Sequence, residues 1–222
     1  DHAQSVRWYR AAAEQGLALA QCNLGKCYGQ GEGVEQDHAQ AVRWYRAAAE
    51  QGDAQAQFNL AVAYAKGEGV DHDQVQAARW FRAAAEQGHT SAQYDLGQWC
   101  RHGRGVEQDH AQSMRWFRAA AEQGHAGAQC SLGGCYKVGR GVQQDHVQAA
   151  RWYRAAADQG HVTAQFNLGD FYEEGKGVQQ DHAQAARWYR AAAEQGHAEA
   201  QRHLGVCYIK GAGVQQDHAQ AV

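Results

Sequence analysis

A sixteen-residue motif, DHAQAVRWYRAAAEQG at Asp37–Gly52, returns along this chain with a fixed spacing of 36 residues. Its copies begin at Asp1, Asp37, Asp73, Asp109, Asp145 and Asp181. A period of this length is typical of stacked structural repeats and not of separate globular domains. We therefore predict a single domain over residues 1–222. Its units are 1–36, 37–72, 73–108, 109–144, 145–180 and 181–216, and residues 217–222 begin a seventh.

The first half of each unit has the pattern of an amphipathic helix. In the second unit, apolar residues stand at Ala41, Trp44–Tyr45 and Ala48–Ala49, which form one stripe at a period of 3.6 residues. Asp37 with Gln40 three residues later approximates a capping box that satisfies free backbone N–H groups. Gly52 is suited to the left-handed position just beyond the helix end.

The second half of each unit predicts another helix, over about Ala54–Lys66 in the second unit. Ala56, Leu60, Ala63 and Tyr64 lie on one face of it. The loop Gly67–Val70 then supplies two glycines for a chain reversal, and the sequence contains no proline. Each unit is therefore predicted to be a helical hairpin.

Positions that never change between the copies indicate how the hairpins pack. Trp8 and its equivalents are predicted to fill the space between hairpins, while alanines and Gly25 let helices approach closely. The six cysteines are expected to be free thiols that act as small hydrophobic residues, because Cys22 and Cys27 would point different ways on one helix.

Composition limits the functional classes. Hydrophobic residues make up 44% of the chain, yet no apolar run approaches the roughly 18 residues that a membrane span needs. The formal charge of −3, with acidic and basic residues evenly mixed, argues against a nucleic-acid or membrane surface.

The chain has no initiator Met and begins at the start of a repeat, so we expect it to be part of a longer protein. Its compartment stays open between the cytoplasm and the periplasm or secretion.

Thirteen histidines raise the question of a metal site. One series contains His2, His38, His110, His146, His182 and His218; the other contains His89, His125, His161 and His197. Equivalent positions in neighbouring copies should be about 8–10 Å apart, whereas ligands lie about 2 Å from one zinc. We expect no metal site and no cofactor.

The pattern Ala-x-x-x-Leu-Gly-x-x-Tyr, Gly-x-Gly-Val, Asp, and Ala-x-x-Trp-Tyr-x-x-Ala-Ala-x-x-Gly, read from Ala164 through Gly196, resembles the Sel1-like repeat. The match covers the whole chain, with departures such as Ala61 in place of Gly and Cys100 in place of Tyr. The resemblance implies an all-α fold, a right-handed α-solenoid (superhelix) of six 36-residue helical hairpin repeats, related to tetratricopeptide repeats. It also implies a role as an adaptor or scaffold that binds a protein or peptide.

In the resembled family, the helix carrying Leu-Gly-x-x-Tyr lines the concave face, which here is the second helix of each unit. Aromatic rings beside a series of asparagines would suit an extended peptide, because asparagine both donates to and accepts from a backbone. Alternatively, these asparagines decorate a solvated helix face. The candidate partner-binding residues are Asn23, Phe58, Asn59, Tyr94, Asp95, Arg101, Lys137, Phe166, Asn167, Asp170, Glu173 and His203.

Other roles remain open at this stage. Two arginines per first helix could bind acidic partners, but pairs such as Arg10 with Glu14 favour an ordinary solvated face. We expect no catalytic residue, since no Gly-x-Ser-x-Gly elbow occurs. Some cysteine-rich relatives in the resembled family bind or hydrolyse β-lactams, which makes a cell-wall-related enzyme one alternative. A passive spacer within a longer protein is another. Apolar end faces also predict end-to-end self-association.

Overall fold

Each repeat folds into two helices of thirteen residues in the computed structural model, which describes residues 2–214. Over these residues the helices are α1 (His2–Glu14), α2 (Ala18–Gln30), α3 (His38–Glu50), α4 (Ala54–Lys66), α5 (Gln74–Glu86), α6 (Thr90–His102), α7 (His110–Glu122), α8 (Ala126–Val138), α9 (His146–Asp158), α10 (Val162–Glu174), α11 (His182–Glu194) and α12 (Ala198–Lys210). No strand occurs in this range. The predicted second helix of unit two, Ala54–Lys66, is confirmed, and the start of a seventh repeat at 217–222 lies outside the described residues.

The chain divides into two compact units, Asp1–Trp116 and Phe117–Val222. Within each unit a second helix packs against the first helix of the same hairpin and against the first helix of the next one, as α2 does with α1 and α3, and α10 with α9 and α11. Consecutive packing of helical hairpins is the architecture of an α-solenoid. The predicted all-α hairpin repeat is therefore confirmed.

Side chains at the predicted positions cap the helices. Asp37 Oδ1 accepts a hydrogen bond from the backbone N–H of Gln40 at 3.0 Å. The second helices begin at a different cap, which is Asp53 in one repeat and histidine in others. His161 Nδ1, for example, accepts from the N–H of Ala164 at 3.3 Å. Desolvation by burial lowers the pKa of His161, which favours the neutral ring that this acceptor role needs. One of the two histidine series is thus explained by helix capping.

The glycine loops have two functions in the stack. Gly67 ends α4 in the left-handed conformation, with φ of +72°. Gly69 also has positive φ, and a Cβ there would overlap the carbonyl group of His38 at the start of α3. The loop therefore approaches the backbone of its own first helix more closely than any side chain would allow.

Glutamines that never change between the repeats form a hydrogen-bonded ladder across hairpins. Gln129 is buried, and its Nε2 donates to the Ala121 carbonyl at 3.1 Å. Its Oε1 accepts from Gln159 of the next hairpin at 2.7 Å. The same link joins Gln21 to Gln51, Gln57 to Gln87, and Gln165 to Gln195. The buried glutamine is thus a second donor to a carbonyl at a helix end, as at Ala121, which also accepts from the Gly124 N–H, and each Gln–Gln bond ties two hairpins together.

The tryptophans are less uniformly buried than the sequence predicts. Trp44 packs against the buried cluster of the preceding hairpin, which contains Leu24 and Val6, and Trp188 is 7% exposed. Trp8, however, is 69% exposed, so the prediction that it fills space between hairpins is wrong. A tryptophan at this position covers the hairpin before its own, and α1 is the first helix among the described residues.

None of the six cysteines forms a disulfide bond, and five of them are buried. Burial raises the pKa of the Cys22 thiol to about 12 and that of Cys130 to about 11. These are poor conditions for a reactive thiolate. Over the described residues, no helix has both the length and the apolar character that crossing a membrane requires.

Candidate binding surface on the second helices

The twelve candidate residues share one property, because each is partly exposed and partly buried in the structure. They stand on α2, α4, α6, α8, α10 and α12. Neighbouring positions on the same helices, such as Leu60 and Leu168, are fully buried. The candidates therefore lie where the second helices meet solvent, at the edge of the packed core.

In the compact unit Asp1–Trp116, Phe58 and Asn59 line a depression of about 300 Å³. Tyr45 of α3 and Val62 of α4 form its walls, and Gly29 of α2 leaves it open. Burial raises the pKa of Tyr45 to about 12. Phe58 is held in place by stacking on the capping residue His89, with ring centroids 4.6 Å apart. The depression thus combines a fixed aromatic wall with polar side chains that include Asn59 and Lys66.

The asparagines of the surface already have partners inside the protein. Asn59 Oδ1 accepts from Gln55 at 3.0 Å. Asn167 donates to the Thr163 carbonyl at 2.8 Å, and its Oδ1 accepts from Lys137 Nζ at 3.1 Å. These bonds fix the orientation of each amide, and one lone pair on each oxygen remains available.

Asp95 on α6 is half-buried, and desolvation raises its pKa to about 6. Close by on the same helix, Gln98 donates to the hydroxyl of Tyr94 at 2.9 Å. Arg101 lies further along this helix, and its Nε is buried without a hydrogen-bond partner among the described residues. Shifted pKa values and buried polar atoms without a hydrogen-bond partner are found more often at functional sites than elsewhere in a protein.

In the compact unit Phe117–Val222, four candidates lie around Tyr189 of α11. Its hydroxyl lies 2.9 Å from Asp170 Oδ1 and 2.5 Å from Glu173 Oε2. His203 Nδ1 is 3.5 Å from Glu173 Oε2, and its ring lies 5.5 Å from that of Phe166. Phe166 stacks on the capping residue His197 with centroids 4.7 Å apart, as Phe58 does on His89.

Sequence reasoning missed the aromatic residue at the ninth position of each unit. Tyr45 lines the depression beside Phe58, and Tyr189 lies at the centre of the cluster with Asp170 and Glu173. The signal was present in the repeats: where this residue is Phe81, the preceding helix offers Val62 and Ala65, and where it is Tyr189 the helix offers two carboxylates. At these two positions the polarity of the ninth residue matches the polarity of the surface beside it.

The arginines of the first helices have partners that differ from the predicted ones. Arg10 donates to the hydroxyl of Tyr28 at 2.7 Å, in place of the expected pair with Glu14. The same bond recurs at Arg46–Tyr64, Arg118–Tyr136 and Arg190–Tyr208. A guanidinium held by the tyrosine of its own hairpin stabilises that hairpin, which explains why both residues recur.

Residues 2–214 form twelve helices in consecutive hairpins, with loops of two left-handed glycines and a varied surface on the second helices. These features define an α-solenoid repeat protein. The sequence model of the Sel1 repeat matches residues 1–17, 18–53, 54–89, 90–125, 126–161, 162–197 and 198–222. The chain therefore belongs to the Sel1 repeat family. The family's unit starts at the second helix of our hairpins, so the first and last of the seven matches are shorter.

Solved structures from bacteria agree with this assignment. The chain is 43% identical to c5321, a protective antigen of uropathogenic Escherichia coli with an SLR fold, at a TM-score of 0.94. That match covers 97% of this chain but only 46% of the antigen. A Sel1 repeat protein from Oxalobacter formigenes is 33% identical over 100% of this chain and 94% of its own, with a TM-score of 0.84. No curated protein matches the chain.

Proposed function

We propose that this chain is a non-catalytic scaffold that binds a peptide or protein segment along the exposed face of its second helices. Sel1 repeat folds are typically used for protein–protein interaction. The observation that carries the proposal is the open depression beside Phe58, Asn59 and Gly29. An apolar side chain of the ligand would occupy it, and the remaining acceptor capacity of Asn59 would receive a backbone N–H.

The repeated residues support a binding role because they leave this face free to vary. Capping aspartates, the glutamine ladder and the Arg–Tyr bonds account for several of the polar residues that recur in the hairpins. None of them belongs to the twelve candidates. Stability and recognition are therefore carried by different positions, which is the usual division in repeat proteins.

The depression can be closed with a residue that the chain itself uses. Lys137 occupies in another hairpin the position that Gly29 occupies in the first, so Gly29→Lys suits the helix and fills the opening. Peptides selected on this chain from a random displayed library would be measured against the parent and this variant by calorimetry. We expect the variant to weaken binding about tenfold or more while its helical circular dichroism is unchanged.

The matched control is Ala11→Lys, which places the same side chain on an exposed position of α1. It should bind the selected peptides as the parent does. Equal binding by parent, Gly29→Lys and Phe58→Ala would contradict the proposal. A library that yields no peptide would also count against it, and would favour a spacer.

A further inference from the structure

The side chains of Asp170, Glu173 and His203 come together in the compact unit Phe117–Val222, although they stand on two different helices. Asp170 and Glu173 stand three residues apart on α10 and so share one face of it. His203 lies on α12, and Tyr189 of α11 lies between. One ligand atom from each of Asp170, Glu173 and His203 lies within 4.8 Å of the other two.

We propose that Asp170, Glu173 and His203 form a binding site for a divalent transition-metal ion, with Zn²⁺ the best match. Zinc accepts carboxylate oxygen and imidazole nitrogen at about 2.0–2.2 Å, so that ligand atoms around a tetrahedral ion are about 3.4 Å apart. The 3.5 Å between Glu173 Oε2 and His203 Nδ1 already equals that edge. The Asp170 ligand atom lies within 4.8 Å of the other two, so it must approach them by at most about 1.4 Å to complete the site.

The hydroxyl of Tyr189 lies against two carboxylates, and a cation bound between them would relieve that crowding. It has a single proton, yet it lies within hydrogen-bond distance of Asp170 and of Glu173. It can donate to only one of them. The other short oxygen–oxygen contact requires an additional proton or a cation. A divalent ion offsets both carboxylate charges and leaves Tyr189 to donate to a single ligand, as supporting residues of metal sites do.

Repeat symmetry makes the cluster specific to this place in the chain. The position of Asp170 is Lys26, Val62, Gln98, Gly134 or Val206 in the other hairpins. The position of His203 is most often asparagine, as in Asn23 and Asn59. Neither histidine series contributes, since His203 belongs to neither. The sequence argument against a metal concerned residues that recur, and it does not apply to this cluster.

Arg202 is the residue that opposes the ion. Its Nη2 lies 2.7 Å from His203 Nε2, and because arginine has no acceptor, Nε2 must accept and the ring proton must lie on Nδ1. Binding through Nδ1 requires that proton to move to Nε2 or to leave. Arg202 is exposed and is also paired with Glu199 at 2.9 Å. Its removal should therefore improve metal binding without disturbing the core.

The experiment is a titration of the metal-free chain with Zn²⁺ by isothermal calorimetry, using variants that borrow residues from equivalent positions. His203→Asn follows Asn59, Asp170→Gln follows Gln98, and Glu173→Ala follows Ala65. We expect one ion per parent chain and at least about a tenfold loss of affinity in each variant. Arg202→Gln should bind more tightly than the parent.

His182→Gln, which follows Gln74, is the matched control, because it removes an exposed histidine of the same unit. It should bind as the parent does. Co²⁺ provides a second readout: the site should give ligand-field bands without the thiolate charge-transfer band that cysteine ligands produce. Equal losses in His182→Gln and His203→Asn would overturn the proposal, as would thiolate bands or the absence of a stoichiometric site.

Discussion

Gln129 offers the most direct test of how the repeats hold together. Gln129→Ala removes the bond to the Ala121 carbonyl at 3.1 Å and the bond from Gln159 at 2.7 Å. The Ala121 carbonyl keeps the bond from the Gly124 N–H at 3.0 Å, so the cost is that of the two lost bonds, at about 1 kcal/mol each. Since Gln129 is only 7% exposed and water cannot easily replace it, we expect the free energy of unfolding to fall by about 2 kcal/mol.

Gln201 provides the comparison within the same chain. It occupies the equivalent position in the last hairpin and donates to the Ala193 carbonyl at 3.1 Å, but it is exposed. Water can replace its single bond, so Gln201→Ala should cost less than about 1 kcal/mol. Urea denaturation followed by circular dichroism would measure both variants.

A double-mutant cycle separates the ladder from position effects in the array. Gln159→Ala removes the other partner of the link between hairpins, and together with Gln129→Ala it should give a coupling energy of about 1 kcal/mol. Additive losses would mean that the Gln–Gln bond contributes nothing. Equal losses in Gln129→Ala and Gln201→Ala would refute the burial argument itself.

Three further predictions concern charge and apolar surface. His161→Asp copies the cap at Asp53. Because the pKa of His161 is lowered in the folded chain, the parent should lose stability as pH falls from 6.5 through that lowered pKa. Urea titrations at several pH values should show that the variant lacks this dependence. Asp95→Asn should raise stability at pH 7 by up to about 3 kcal/mol, for a pKa raised from 3.8 to about 6, and this gain should disappear as pH falls to 4 in the same assay. Trp8→Gln should reduce self-association in light scattering at high concentration, because Trp8 is 69% exposed; unchanged scattering would exclude this residue.

Periodicity predicted the fold because the same local signals are repeated six times. Asp37 and Gly52 mark helix ends by short-range rules, and a stack of hairpins needs only neighbour contacts. The partners of Gln129 and Arg10 could not be predicted in this way. Both bonds depend on which rotamer reaches another helix, and pattern alone cannot distinguish a ladder from a solvated surface.

Residues that carry recognition were partly predictable for a related reason. The variable positions on the second helices could be read from differences between copies, but their grouping depends on residues two helices away. Asp170 and His203 are 33 positions apart and come together beside Tyr189 of the intervening helix. A search within one repeat does not connect them.

The depression beside Phe58 and the cluster around Tyr189 show how one scaffold can present different chemistry with few substitutions. Glycine at position 29 leaves an open depression beside Tyr45, and glutamate at the equivalent position 173 meets the hydroxyl of Tyr189. The backbone around both is set by the same capping residues and glutamine links. Because those links do not include the surface positions, exchanging Gly29 for a charged residue should alter binding and leave stability nearly unchanged. Recognition in this chain is therefore expected to be separable, hairpin by hairpin, from the stability of the stack.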